Sequence, residues 1–316
     1  MTTKARVAVL ISGAGTNLAA LLYASHVDDC PYEITFVATN NPEAEGLQIA
    51  EAEGVPTWAR SHKGMDRAAF DELIGAALEE AEADYVALAG YMRLLSPDLV
   101  SRWEGRMLNI HPSLLPKYKG LDTFQRALDA GDRDAGCSVH LVTAEVDDGP
   151  VLAQTKVAIT SGDDANSLAR RVQFAEHQLY PRTLARYVTR YEDPEWLLAE
   201  VTKRATVLPE AEVRMTHGSP GFWCGKFFAI FSDNHHGDGR IALLVKTSGK
   251  EEMEALVEAD PELYHRPAYY GASGWIGVRL DSGAPDWELV DSWLHRSWRS
   301  IAPKRLTKLL DAADDF

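Results

Sequence analysis

From Arg6 to Ile110, short apolar runs of strand length alternate with stretches whose apolar residues recur at helical spacing. Arg6–Ile11 (RVAVLI), Glu33–Thr39 (EITFVAT), Tyr85–Ala89 (YVALA) and Met107–Ile110 (MLNI) read as strands with almost no polar alternation. Strands of that kind are covered on both faces. Asn17–Ala24, Ala44–Glu53 and Asp66–Glu82 carry the helical period between them. This β-α order predicts an α/β domain, a mostly parallel sheet with helices on both faces. Ligands of such sheets sit beyond the carboxyl ends of the strands, and the polar motifs below fall at those ends.

Val139–Val142 and Val151–Ile159 read as two further strands around the loop Thr143–Pro150, and Ala165–Val188 as a long helix. The pattern then breaks at Tyr191-Glu192-Asp193-Pro194. Asp caps a helix and Pro suits its first position, so a new element starts there. The expected domains are 1–191 and 192–316, and a chain of 316 residues suits two. Strands at Phe227–Asp233, Arg240–Val245 and Trp275–Leu280, with helices at Lys250–Ala259, Trp287–Ile301 and around Leu306, make the second domain a smaller α+β unit. The closing DAADDF is expected to fray.

The longest apolar runs, such as Ile241–Val245, are strand-sized, so no membrane span is expected. The start MTTKARVAVL enters a strand without a hydrophobic signal region, which points to the cytoplasm. Cys30, Cys137 and Cys224 form no CxxC pair and read as free thiols, not as a zinc or redox motif. The net charge of −15 argues against charge-driven binding to nucleic acid or membrane. A small anion needs only a local positive site.

One such site is offered by Ser12-Gly13-Ala14-Gly15-Thr16-Asn17, between the first strand and its helix. Glycines permit a tight turn and close backbone approach, and a helix N-terminus aims amide groups at an anion. Leu18 stands where a dinucleotide fingerprint would have its third glycine, so the loop suits a mononucleotide phosphate.

The strongest chemical signal is Asn109-Ile110-His111-Pro112-Ser113-Leu114-Leu115-Pro116, followed by Asp147-Asp148-Gly149-Pro150. Asn109 and His111 lie two apart in a strand and share a face, and Asp147 can reach back to the imidazole. Acyl transfer to an amine passes through a tetrahedral oxyanion. An amide can donate to that oxygen, an imidazole can move protons, and a carboxylate can orient the imidazole and favour its charged form. The set lacks the ligands of a zinc site.

From about Arg6 to Tyr187 these residues resemble the glycinamide ribonucleotide (phosphoribosylglycinamide) formyltransferases. The likeness rests on Val9-Leu10-Ile11-Ser12-Gly13, Leu88–Arg93 (LAGYMR), Asn109–Pro116, Lys117-Tyr118, Ser138-Val139-His140, Asp147–Pro150, Glu176-His177 and Tyr180-Pro181. The resemblance implies a Rossmann-like formyltransferase fold, with catalytic roles for Asn109, His111 and Asp147. It implies that Gly13, Ala14, Gly15, Thr16 and Asn17 hold the phosphate of glycinamide ribonucleotide and that Glu176 meets the ribose hydroxyls. Arg67, Met92, Arg93, Leu94, Leu95, Asn109, Val142, Thr143, Ala144, Glu145, Val146 and Asp147 would line the pocket for 10-formyltetrahydrofolate, the formyl donor in purine biosynthesis. The flat pterin suits so apolar a lining. Asp122 and Phe124 stand where many relatives have two histidines, and Lys119 where proline is common. These departures are expected to alter contacts near the substrate loop without removing the triad.

Residues 193–310 resemble the MmcQ/YjbR-like family through Leu208-Pro209-Glu210, Gly218-x-Pro220, Gly225–Ala229 (GKFFA), Leu243-x-Val245-Lys246 and Trp275–Val278 (WIGV). Such domains have been likened to DNA-binding modules, but fold analogy is a weak warrant for function. Residues 205–316 hold twelve Lys and Arg against seventeen Asp and Glu. The strip Arg296, Arg299, Lys304, Arg305 and Lys308 is the one basic feature, and a solvated helix face explains it as well. Phe222, Trp223, Phe227, Phe228, Tyr269, Tyr270 and Trp275 could line a pocket or fill a small core.

Three readings follow. The first is the purine-pathway transferase with an appended domain. The second keeps formyl chemistry but makes the protein a formyltetrahydrofolate hydrolase, or a transferase acting on an aminosugar nucleotide or initiator tRNA. The start at strand one and the acidic C-terminal domain weigh against it. The third is a nucleic-acid-binding or scaffold protein acting through its C-terminal domain. Oligomeric state stays open between monomer and homodimer.

Overall fold

Alternate residues of β1 (Ala5–Ile11) enter two different apolar layers. Val7, Val9 and Ile11 pack with Leu18, Leu21, Leu168 and Tyr180, whereas Ala8 and Leu10 pack with Phe70, Ile74 and Leu78. A strand buried on both faces has no use for a polar alternation, which is why RVAVLI reads as one apolar run. The computed structural model describes residues 4–234 and 237–314. By contacts the chain divides into two units, Met1–Val188 and Thr189–Phe316.

The first unit continues with α1 (Thr16–Ser25), β2 (Tyr32–Thr39), α2 (Gly46–Ala52), β3 (Thr57–Ala59), α3 (Arg67–Glu80), β4 (Tyr85–Leu88) and α4 (Pro97–Arg102). After these come β5 (Met107–His111), α5 (Thr123–Asp129), β6 (Asp134–Leu141), β7 (Val151–Ala158) and α6 (Ala165–Val188). The seven-stranded sheet has the order β3-β2-β1-β4-β5-β6-β7. Pairings from β3 to β5 are parallel, and β6 and β7 are antiparallel. The sheet is therefore mostly parallel with helices on both faces. The chain winds outward from β1 in both directions, so the carboxyl ends of β1 and β4 flank a topological switch point. Tyr180, fully buried on α6, ties the strands beside it: its hydroxyl lies 3.2 Å from the Leu88 carbonyl and 3.0 Å from that of Leu108.

The second unit comprises α7 (Pro194–Ala205), β8 (Glu212–Thr216), β9 (Ser219–Trp223), β10 (Phe227–Asp233), β11 (Ile241–Lys246), α8 (Lys250–Ala259), β12 (Tyr264–His265), β13 (Trp275–Arg279), α9 (Trp287–Ile301) and α10 (Lys304–Asp314). Asp193 caps α7 by accepting from the Glu195 and Trp196 amides, with Pro194 in the first turn. The six strands pair antiparallel in the order β12-β13-β11-β10-β9-β8. Phe222 and Phe228 belong to the core shared with Leu197, Val201, Trp293 and Trp298. Trp275 joins Ile230, Ala242 and Leu244 in a smaller cluster against which Phe227 and Tyr270 pack, and Tyr269 is exposed.

Several elements escape the sequence pattern. β6 begins at Asp134, five residues before the expected start, and its glycine is obligatory: a Cβ on Gly136 would lie 2.1 Å from the Thr155 carbonyl. The β8–β9 hairpin is hidden by Pro220 and Gly221, which read as turn residues. Its turn places His217 and Gly218 at φ +47° and +84°. Of the DAADDF stretch, Asp311–Asp314 continue α10, and Asp315 and Phe316 lie outside the described residues. Among the described residues no helix is long and apolar enough to cross a membrane, and Cys30, Cys137 and Cys224 are free.

Removing the Tyr180 hydroxyl leaves the Leu88 and Leu108 carbonyls without that donor. Tyr180→Phe should lower unfolding free energy by about 1–2 kcal/mol. Urea denaturation checks this, and an unchanged midpoint would show that the hydroxyl ties nothing together.

Candidate active site

The three strands that end nearest the switch point each deliver one part of the site. β1 leads into Ser12–Asn17, β4 into Gly90–Leu95, and β5 carries Asn109 and His111. β6 runs back beside β5, placing His140 opposite Asn109 and Ser138 opposite His111. The Thr143–Pro150 loop then returns Asp147 to the same place.

Asp147 gathers the group. Its Oδ2 lies 3.4 Å from His111 Nδ1 and accepts the Gly120 amide at 2.9 Å. Its Oδ1 lies 3.5 Å from His140 Nε2. The residue sits at φ +50°, a strained backbone for a non-glycine residue. Burial raises its carboxyl, but its neighbours His140, the Gly120 amide and His111 together more than offset this, so its pKa falls below the usual carboxylate value. The expected triad is thus brought together.

His111 is 5% exposed. Burial pushes its pKa below the ordinary histidine value, although the Tyr118 carbonyl and Asp147 both act to raise it. Its Nε2 lies 2.9 Å from the Tyr118 carbonyl, so in this structure both ring nitrogens face acceptors. The segment carrying Tyr118 is held by Arg126, which donates to the Lys119 carbonyl at 2.7 Å, and by the Lys119–Asp148 ion pair. Lys119 therefore has a partner in the loop that bears Asp147. Asp122 adopts φ +57° before α5 without capping it through its side chain, and Phe124 packs against the core.

His140 is the member the sequence reading passed over. Its Nδ1 lies 2.8 Å from the Leu141 carbonyl and so carries the donated proton, while Nε2 lies 3.1 Å from Asn109 Nδ2. A neutral ring accepts from that amide; a doubly protonated ring would donate to the amide oxygen and to Asp147. Either way His140 fixes the orientation of the Asn109 side-chain amide. The signal was present in the Ser138-Val139-His140 string, but a histidine on a strand reads as core until its cross-strand partner is known.

In the phosphate loop, Gly13 and Ala14 are exposed, and a Cβ on Gly13 would meet nothing within 4 Å. Gly15 is different: it sits at φ +73°, and a Cβ there would lie 2.6 Å from Gly46 Cα. Gly15 shapes the turn, and Gly13 leaves room above it. Thr16 accepts from Gln173 at 3.0 Å. Asn17 and Glu176 meet as a buried pair, Nδ2 donating to Oε2 at 2.8 Å. Burial raises the Glu176 pKa and the Asn17 bond opposes it. Asn17 Oδ1 has no hydrogen-bond partner among the described residues.

Of the residues expected to line a donor pocket, Met92 and Leu94 are 69% and 51% exposed, so they are not core. Arg67 and Thr143–Val146 are also exposed. Leu95 and Val142 pack against the α3-side core. The Arg93 side chain turns inward, 13% exposed. The phosphate loop and the β4 loop are joined through Ser12, whose Oγ accepts the Met92 amide at 2.8 Å and donates to Asn40 Oδ1 at 2.6 Å. Among the described residues no group of three or more His, Cys, Asp or Glu could hold a metal ion.

An oxyanion-type donor, an imidazole and a carboxylate at the edge of a doubly wound sheet are the equipment of an acyl-group transferase. Residues 5–184 match the formyl transferase family, and the chain belongs to that family. Residues 206–300 match the YjbR family. A solved phosphoribosylglycinamide formyltransferase from Brucella melitensis is 48% identical, covering 58% of this chain and 96% of that one with a TM-score of 0.56. Phosphoribosylglycinamide formyltransferase of Escherichia coli is 41% identical over 196 residues, 60% of this chain and 92% of its own length. The bovine trifunctional purine biosynthetic protein adenosine-3 is 46% identical over 182 residues, but the chain spans only 18% of that protein's length.

The lowered His111 pKa has a kinetic signature. Its neutral form, able to accept a proton, persists as pH falls below the ordinary 6.5. A pH profile of kcat/KM should therefore place the acid limb below pH 6.5. An acid limb at or above that value in the wild-type profile would contradict the assignment.

Proposed function

We propose that this protein transfers the formyl group of 10-formyltetrahydrofolate to the amine of glycinamide ribonucleotide, in de novo purine biosynthesis. The observation that carries the reading is the Asn109–His111–Asp147 cluster at the β5 end, beside an open Gly-rich loop after β1. We assign catalysis to residues 1–191 and treat 192–316 as a separate YjbR-like domain. The cytoplasm is the compartment that fits this chemistry.

The acceptor amine attacks the formyl carbon, its proton leaves, and the carbonyl oxygen becomes an oxyanion. Asn109 Nδ2 donates to that oxygen. His111 takes the proton of the attacking amine and returns one to the departing folate nitrogen. Asp147 holds the imidazole and steadies its charged form. The Tyr118 carbonyl must give way at Nε2 for this exchange. The amides at Gly13–Asn17 receive the ribonucleotide phosphate, and the buried Asn17–Glu176 pair offers its polar atoms to the ribose. Met92 and Leu94, exposed beside the site, give the donor ring an apolar surface, with Arg67, Leu95 and the 142–147 segment around it.

The nucleic-acid reading loses its main support in the second unit. Arg296 pairs with Glu252, Arg299 with Asp311 and Arg305 with Glu210, so three of the five cations in the basic strip face carboxylates.

Tetrahydrofolate release from 10-formyltetrahydrofolate should depend on glycinamide ribonucleotide. Release without acceptor would make the protein a hydrolase, and no turnover would point to another amine. Asn109→Ala should cost roughly 2.7–4 kcal/mol of transition-state stabilisation, the range for an oxyanion donor. His111→Ala should abolish transfer yet leave ribonucleotide binding, followed by calorimetry, largely intact; joint loss of both would contradict its role.

A further inference from the structure

Beneath the segment joining β4 to α4 lies a buried charge cluster that the proposed reaction does not use. Asp71, on α3, is 1% exposed. Its Oδ2 accepts the backbone amide of Ser96. Its Oδ1 lies 3.7 Å from Arg93 Nε. The Arg93 guanidinium carbon sits 4.8 Å from the Phe70 ring centroid, and Nη2 lies 3.3 and 3.4 Å from the carbonyls of Asp66 and Arg67. One carboxylate therefore holds both ends of residues 93–96 and fastens them to the first turns of α3.

The consequence is visible on the other side of the segment. Met92 and Leu94 are turned outward, 69% and 51% exposed. Burying such a side chain is favourable, so a segment without internal restraint would fold them in. Arg93, a residue that ordinarily seeks water, is turned inward between them. A buried ion pair adds little net stability compared with apolar packing, so stability alone does not account for placing one here. It does fix a direction, and that direction leads Met92 and Leu94 to the mouth of the site. Ser12 fixes the preceding Met92 amide from the phosphate loop.

We propose that Asp71 is a positioning residue for the formyl-donor site: by holding Arg93 and Ser96 together it keeps Met92 and Leu94 presented to the donor's flat ring. This rests on the donor reading above. Asp71 touches no reacting atom, so its effect falls on donor binding and not on the amine acceptor.

The test uses the full chain with Asp71→Asn, which keeps the volume and an acceptor for Ser96 but removes the charge facing Arg93. The KM for 10-formyltetrahydrofolate should rise roughly tenfold to a hundredfold, as for a misplaced binding group. The KM for glycinamide ribonucleotide and the kcat at saturating donor should stay within about threefold, smaller than that misplacement effect. Arg93→Gln should show the same split, and the double variant should be no worse than either single one, because the two act as a pair. If Asp71→Asn does not fold, Arg93→Gln carries the prediction. An unchanged donor KM in a folded variant overturns the inference, and so does a parallel rise in both KM values, the mark of general loosening. Calorimetric titration with tetrahydrofolate separates the two levels. Wild-type protein that neither turns over nor binds tetrahydrofolate sinks the donor reading and this inference with it. Wild type and Asp71→Asn binding equally well sinks the inference alone.

Discussion

The parallel pairing of β1, β4 and β5 is the constraint on which the site depends. Leu10 lies beside Leu88, and Leu88 beside Asn109. That register brings three loops, distant in sequence, to one edge of the sheet. Each strand is held by apolar contacts on both faces, so the edge is rigid and the loops inherit their positions. Tyr180 fastens the same edge from α6. Catalytic geometry of this kind needs placement to within a fraction of an ångström, and the strand ends supply it before any ligand arrives.

On that edge Asp147 acts as the organiser. A single carboxylate faces His111 with one oxygen and His140 with the other, while the Gly120 amide ties the Tyr118 segment to it. The positive φ at Asp147 is strain of the sort that accumulates at functional sites. A similar device recurs under the β4 loop, where Asp71 faces Arg93 with one oxygen and Ser96 with the other. In both cases one carboxylate sets the direction of two neighbours.

The sequence made the β-α order, the long α6 helix and the Asn109–His111 pairing legible, because each rests on a local period or on a contiguous string. It hid what depends on partners far along the chain. Nothing local in Ser138-Val139-His140 shows that β6 places His140 against Asn109. Arg93 was placed in the donor pocket by resemblance alone, and no local pattern shows that its side chain faces a buried carboxylate twenty-two residues earlier. No local pattern separates Met92 and Leu94 from core residues; their exposure does. In the second unit, Pro220 and Gly221 masked a strand whose hydrogen bonds come from its neighbours.

The most direct test of the account follows the formyl carbon itself. The protein would be incubated with 10-formyltetrahydrofolate labelled with ¹³C in the formyl group, with glycinamide ribonucleotide present, and the products read by NMR. The label should appear in a new amide on the ribonucleotide, at the same rate as tetrahydrofolate forms. Label recovered as free formate, with the ribonucleotide unchanged, would contradict it.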